Sequence, residues 1–222
     1  MKGKYFDSKK PEYNYAILIL VEGQDDAIFL DRVLEQLEVE QNICRVIVCG
    51  GKSSVWTHLS LVIKSAHFSS TVKSLAVIVD ADNNADSCRD EAIRNFEKNG
   101  LPRVLAGDTE IANGKKFSFY SFPRPKEAGS LEDLALEISP ESEVLSEAQK
   151  FIELANSDGE LNKLSKRTVQ AYLAGASANL RPTVGWAFYD NIIPFQLDSI
   201  PEFSRFVRNV VELEWEEKQT PG

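Results

Sequence analysis

The sequence predicts an α/β protein: a mainly parallel sheet with helices on both faces, followed by a helical C-terminal extension. Three observations predict it. Three short apolar runs, Tyr15–Val21, Arg45–Cys49 and Leu75–Val79, are rich in β-branched residues and stop at polar or glycine-containing segments. Tyr15–Val21 and Leu75–Val79 are continuously apolar rather than alternating, the pattern of a strand buried on both faces. Each is followed by a stretch with apolar residues at helical spacing, and repeated strand–helix units with right-handed crossovers build a parallel sheet.

In chain order, Tyr15–Val21 ends in Glu22-Gly23, and a helix is expected over 24–37 with Ala27, Leu30, Leu34 and Leu37 on one face. Arg45–Cys49 ends in Gly50-Gly51, and Val55, Leu59, Val62 and Ile63 mark a second helix over 53–65. Leu75–Val79 runs into Asp80 and Asp82, and a third helix over about 86–99 is stopped by Gly100 and Pro102. Residues 103–116 have weak periodicity and read as a loop. Lys116–Phe122 alternates apolar with polar residues, which predicts a strand with one wet face at a sheet edge. Ser130 is the natural cap of a short helix over 131–138. Helical patterning then covers 141–156, 160–174 and 202–215, the last bearing Phe203, Phe206, Val207 and Val210. The expected layout is an α/β core over 1–138 and a helical part over 139–222 packed on it as one structural unit.

In a parallel sheet the strand C-termini share one edge, where open α/β proteins bind ligands. Asp80 and Asp82 lie at that edge, and residues i and i+2 of an extended chain point the same way. Converging carboxylates repel unless a cation lies between them. A helix-capping Asp followed by a turn Asp is the plainer alternative. Glu22 ends at the same edge, and a 2-1-3 strand order brings it within about 5 Å of the third strand's end. Asp26, four residues on, can fold back from the helix start, whereas Asp25 reads first as an acid favoured by the helix dipole. Glu132 and Asp133 in a later first turn carry the same plain explanation. A hard ion such as Mg²⁺ needs only one to three carboxylates, the rest being water and phosphate oxygens.

Other chemistries are thinly provided. His58 and His67 make no zinc spacing, and no Gly-x-Ser-x-Gly elbow is present. Cys44, Cys49 and Cys88 form no Cys-x-x-Cys pair and read as reduced and structural. Gly50-Gly-Lys-Ser-Ser54 imitates the end of a Walker A loop, but the earlier glycine is replaced by Val46. Two glycines and Lys52 before a helix can still meet a phosphate. Asp80-x-Asp82-x-Asn84 with Glu91 imitates a calcium loop, but Ala85 stands where that loop needs glycine.

Length and composition frame these readings. The chain has 222 residues, 43% hydrophobic and 27% charged, as in soluble globular proteins. No apolar run approaches the roughly 20 residues of a membrane span, and residues 1–15 hold no apolar signal core, so the expectation is no membrane and a cytoplasmic address. A net charge of −9 and a pI near 4.9 run against the basic surface of most nucleic-acid binders. An acidic chain can act on phosphodiesters when metal ions bring the positive charge or a partner holds the nucleic acid.

Glu22-Gly23 after one buried strand and Asp80-x-Asp82 after another resembles the TOPRIM domain of topoisomerases, primases and recombination nucleases. Val21-Glu-Gly-Gln-Asp-Asp-Ala-Ile-Phe-Leu30, Gly129-Ser-Leu-Glu-Asp-Leu134 and Lys166-Arg-Thr-Val-Gln-Ala-Tyr-Leu173 look like a small stand-alone bacterial branch of the OLD (overcoming lysogenization defect) nuclease family. The resemblance implies Mg²⁺- or Mn²⁺-dependent phosphodiester chemistry on nucleic acid. It implies Glu22 as general acid/base or metal ligand, Asp80 and Asp82 as the metal pair, and Asp26 and Glu132 as further acids. Lys52 is implied as a catalytic stabiliser of phosphate charge. The ATPase domain of full OLD nucleases is absent, which points to a partner protein such as an ATPase. Two other functions remain open: a non-catalytic module that binds metal or nucleotide and docks on a partner, and a metal-dependent nucleotide-handling enzyme.

Overall fold

The computed structural model describes residues 3–7, 12–177 and 183–213. It is an α/β fold around a five-stranded sheet in the order β2-β1-β3-β5-β4. Strands β1 (Ile17–Val21), β2 (Cys44–Val48), β3 (Ser74–Asp80) and β5 (Lys115–Phe122) run parallel, and β4 (Thr109–Ala112) closes the edge antiparallel to β5. The first three strands take the 2-1-3 order, which sets β1 beside β3.

Side chains alternate between two cores, as period-2 strands require. Ile17, Ile19 and Val21 of β1 face one core with Ala76, Ile78, Tyr120 and Phe122, while Leu18 and Leu20 face the other with Leu75, Val77, Phe117 and Phe119. The second core is covered by α2 (Lys52–Lys64) and α4 (Ala85–Lys98) through Val55, Leu59, Ala92 and Phe96. A short helix α3 (Ala66–Ser70) follows α2. The first core is covered by α1 (Gln24–Gln36) and by C-terminal helices. These are α5 (Leu131–Ile138), α6 (Glu143–Ala155), α7 (Leu164–Ala176), α8 (Val184–Tyr189) and α9 (Pro201–Val211). Phe29 of α1 is the hub, within 6 Å of the ring centroids of Phe122, Phe188, Phe195 and Phe203. Aromatic pairs at such spacing add about 0.5–1.5 kcal/mol each beyond area burial.

Two expectations are corrected. The strand Lys116–Phe122 is not a half-wet edge: it pairs on both sides and is buried along its length. Its serines suggested a wet face, but Ser118 is enclosed with its hydroxyl 2.8 Å from that of Thr109, and Ser121 is also buried. The edge lies instead in 103–116, read as loop, where β4 forms half of a tight hairpin. Helix α8 was not expected, because Val184–Tyr189 is too short for a periodic pattern to emerge. Trp215, at the far end of the run expected from Glu202, lies outside the described residues, as do Arg181 and Pro182.

Candidate acidic site at the carboxyl edge of the sheet

The sheet topology brings Glu22 and Asp80 together. Val21 and Ile78 are register partners on adjacent strands, so the chain beyond each leaves the sheet at the same edge. Glu22 Oε1 accepts the Asp80 backbone N–H at 2.9 Å, and Asp80 Oδ1 accepts the Leu131 N–H at 3.0 Å. The start of α5 is thereby tied to the end of β3. Asp26 folds back as the helix pattern predicts: its Oδ2 accepts the Gly23 N–H at 2.8 Å in the first turn of α1. Glu132 is buried in the first turn of α5, with Lys166 Nζ of α7 at 3.6 Å from its Oε1.

These four acids line one cleft of ≈ 750 Å³ with Asp25, Asp82 and the Gly50-Gly51 loop. Burial is the first cause that raises the proton affinity of Glu22, and the Asp80 amide and Lys52 only partly offset it. Burial, with the charges of Glu22, Asp25 and Glu132, pushes Asp26 up to about 7. Burial again, then the charges of Asp26, Glu22 and Glu132, pushes Asp80 up to about 9. Asp80 is thus surrounded by the very acids that the sequence nominated.

Asp82 behaves differently. Strand β3 ends at Asp80, and Asp82 adopts a left-handed φ of 55° while bridging Gly129 through paired backbone hydrogen bonds. The i, i+2 convergence of an extended chain is therefore lost. The Asp82 carboxylate meets Lys52 Nζ at 2.8 Å, and the same ammonium donates to the Asp80 carbonyl at 2.5 Å. Burial alone lowers the Lys52 pKa, but the hydrogen bond to Asp82 and the nearby negative charges leave it above the ordinary lysine value. Gly50 and Gly51, both at positive φ, wrap around the Glu22 carbonyl and donate to it at 2.8 and 2.9 Å. These two amides serve the site's own backbone.

The sequence did not nominate several cleft residues: Lys163 and Lys166 at the start of α7, and Thr183, Val184 and Trp186 around the start of α8. Asp25, read first as a helix-dipole acid, accepts the Thr183 hydroxyl at 2.7 Å. Gly185 makes this contact possible, since a Cβ there would lie 2.8 Å from the Asp25 Cα and carbonyl oxygen. That glycine was the available signal, but a lone glycine in a polar stretch points nowhere without its partner. His58 bonds Tyr13 and does not line the cleft, and burial pushes the Cys88 thiol up to about 11. Neither supplies a nucleophile here.

The donors fit a hard divalent cation in kind: carboxylate oxygens, crowded by like charge, each of Glu22, Asp26 and Asp80 with one oxygen fixed by a backbone amide. Among the described residues, no three His, Cys, Asp or Glu side chains are gathered closely enough to enclose one ion as they stand.

The architecture and this edge define an α/β protein with an acidic cleft at the sheet's carboxyl end. Residues 16–212 match the family described as Protein of unknown function (DUF3226), and the chain belongs to that family. No curated protein and no solved structure gives a significant match.

Proposed function

We propose that this chain performs divalent-metal-dependent phosphodiester chemistry of nuclease type on nucleic acid. The observation that supports it most is the Glu22–Asp80 link across adjacent strands, set in one cleft with Asp26 and Glu132. In this reading Glu22, Asp26, Asp80 and Glu132 hold Mg²⁺ or Mn²⁺, and Asp82 joins them only on releasing Lys52. When bound, the cation supplies Lewis-acid stabilisation of phosphoryl oxygens and a more acidic water. Glu22, with its raised proton affinity, accepts the proton of an attacking water more readily than an ordinary carboxylate. Lys52 presents fixed positive charge to the phosphate. The backbone bonds to Glu22 and Asp80 hold both carboxylates in place before substrate arrives.

The test is a cleavage assay with Mg²⁺ and with Mn²⁺ on single- and double-stranded DNA and RNA. Glu22→Ala and Asp80→Ala are each expected to lower the rate by about 100-fold or more. Activity untouched by both substitutions would rule the site out.

A second reading, a metal- or nucleotide-binding module that docks on a partner protein, is favoured by one separate observation. On the α6–α7 surface Phe151, 62% exposed, lines a groove with Val144, Glu143 and Glu147, and Leu154 three residues further along α6 is 76% exposed. Contiguous exposed apolar surface with a polar rim marks interaction sites. Robust turnover by the isolated, metal-loaded chain removes the non-catalytic form of this reading.

A further inference from the structure

Next to the acidic cleft lies a smaller one of ≈ 250 Å³, and the two share Ile28 and Trp186 as a common wall. Trp186 is joined by Tyr189, also lining the smaller cleft, with ring centroids 5.1 Å apart and planes at 80°. Tyr189 is 49% exposed, and the Arg32 guanidinium lies 5.9 Å from its ring centroid. Both aromatics belong to α8, which is locked to the acid-bearing start of α1 by the Thr183–Asp25 hydrogen bond and the close approach of Gly185. The rings therefore stand in a fixed relation to the acids.

Resting on the phosphodiester reading of the acidic cleft, we propose that Trp186 and Tyr189 form a stacking platform for an unpaired nucleobase, making single-stranded nucleic acid the substrate class. A duplex keeps its base faces stacked on one another, so a platform at the cleft wall serves a single strand without the cost of unstacking a pair. Charge points the same way. Phosphate neutralisation normally supplies much of the affinity for nucleic acid, yet this chain carries −9, Lys52 is engaged by Asp82, and Lys166 lies 3.6 Å from Glu132. Stacking on aromatic rings, with a guanidinium alongside, adds affinity to what backbone charge supplies and tolerates any base. Trp186 borders the acidic cleft itself, so a base seated there sets its flanking phosphate at the mouth of the cleft that Glu22 and Asp80 line.

The experiment measures binding of a fluorescein-labelled short oligo-dT to the full chain by anisotropy, with Ca²⁺ in place of Mg²⁺ to hold back chemistry. Trp186→Ala and Tyr189→Ala are each expected to weaken binding about tenfold, and Trp186→Phe to keep most of it. An abasic oligonucleotide of equal length is expected to bind about tenfold more weakly than oligo-dT, and a duplex more weakly still. Tyr189→Ala guards against a folding failure at Trp186, since half of the Tyr189 ring already lies in water. Equal affinity for oligo-dT and its abasic counterpart, unchanged binding by Tyr189→Ala, or no binding at all overturns the platform. Cleavage with Mg²⁺ is read separately on the same preparations. Cleavage at equal rates on single strands and duplexes leaves the acidic site standing and removes the platform. Stacking without cleavage keeps the platform and removes the catalytic reading.

Discussion

Strand β3 begins and ends on polar residues, and its two ends treat them in opposite ways. At the amino end, Ser74 is the register partner of Lys116 on β5, and both are buried. Lys116 Nζ donates to the Asn209 and Glu212 carbonyls at 2.9 and 2.7 Å, and Ser74 Oγ donates to the Val210 carbonyl at 2.8 Å. These carbonyls belong to the last turn of α9, where a helix leaves its acceptors without internal partners. The strand starts thus cap the helix, and the buried polar groups satisfy one another. At the carboxyl end, Asp80 is crowded by Glu22, Asp26 and Glu132, and its carboxylate accepts the Leu131 backbone N–H. One end is complete as folded. The other keeps like charges together, an arrangement that costs stability and is retained where a ligand relieves it.

The larger stability effect is expected at the completed end. Lys116→Ala leaves two helix-terminal carbonyls without a donor in a site where Lys116 is only 4% exposed. Losing two hydrogen bonds from a charged donor costs about 2–3 kcal/mol. Urea unfolding should show a lower midpoint with an unchanged slope. A loss below about 0.5 kcal/mol would mean that α9 does not depend on this cap.

At the crowded end the sign reverses. Asp80→Asn keeps an oxygen to accept the Leu131 N–H, removes one of the crowded charges and offers its neighbours an N–H₂ donor. A gain on the order of 1 kcal/mol is expected, about 2–4 °C in Tm for a chain of this size. Its pH dependence follows from the raised pKa. Between the unfolded value of about 3.9 and the folded value of about 9, the native state binds more protons than the unfolded state, so the wild-type chain loses stability as pH rises. The advantage of Asp80→Asn should therefore be small near about pH 5 and larger near about pH 8 in chelator. Thermal melts at both values check this, and an advantage independent of pH would show that charge crowding is not its cause.

The same contrast explains what could be read from the sequence. Completed elements announce themselves: β1 and the interior of β3 are continuous apolar runs, α1 and α4 carry periodic stripes, and strand–helix alternation marks a parallel sheet. Glu22, Asp26 and Asp80 were legible because a strand end and a helix start fix where such side chains emerge. Strand β5 was misplaced because Ser118 and Ser121 look solvated until Thr109 and the neighbouring strands enclose them. The far wall of the cleft, Lys166, Thr183 and Trp186, was invisible because each reaches it through tertiary packing of short helices whose local patterns carry no address. Asp82 was half legible. It lines the cleft as expected, but one left-handed residue turns its carboxylate towards Lys52.

Asp82 also provides the most sensitive probe of the contrast, through the smallest change. Its side chain is 52% exposed, and its ion pair with Lys52 is of the kind that contributes about 0–1 kcal/mol in water. Asparagine tolerates the left-handed backbone about as well as aspartate, so Asp82→Asn adds no strain at φ 55°. Stability should change by no more than about 0.5 kcal/mol. Melts of Asp80→Asn and Asp82→Asn under the same conditions separate the two aspartates by the size of the change. A gain at Asp82 equal to that at Asp80 would spread the crowding over the whole Asp-x-Asp turn. The cation would then be expected to compete with Lys52 for Asp82, and the distinction between a buried acid group and its flanking ion pair would fall.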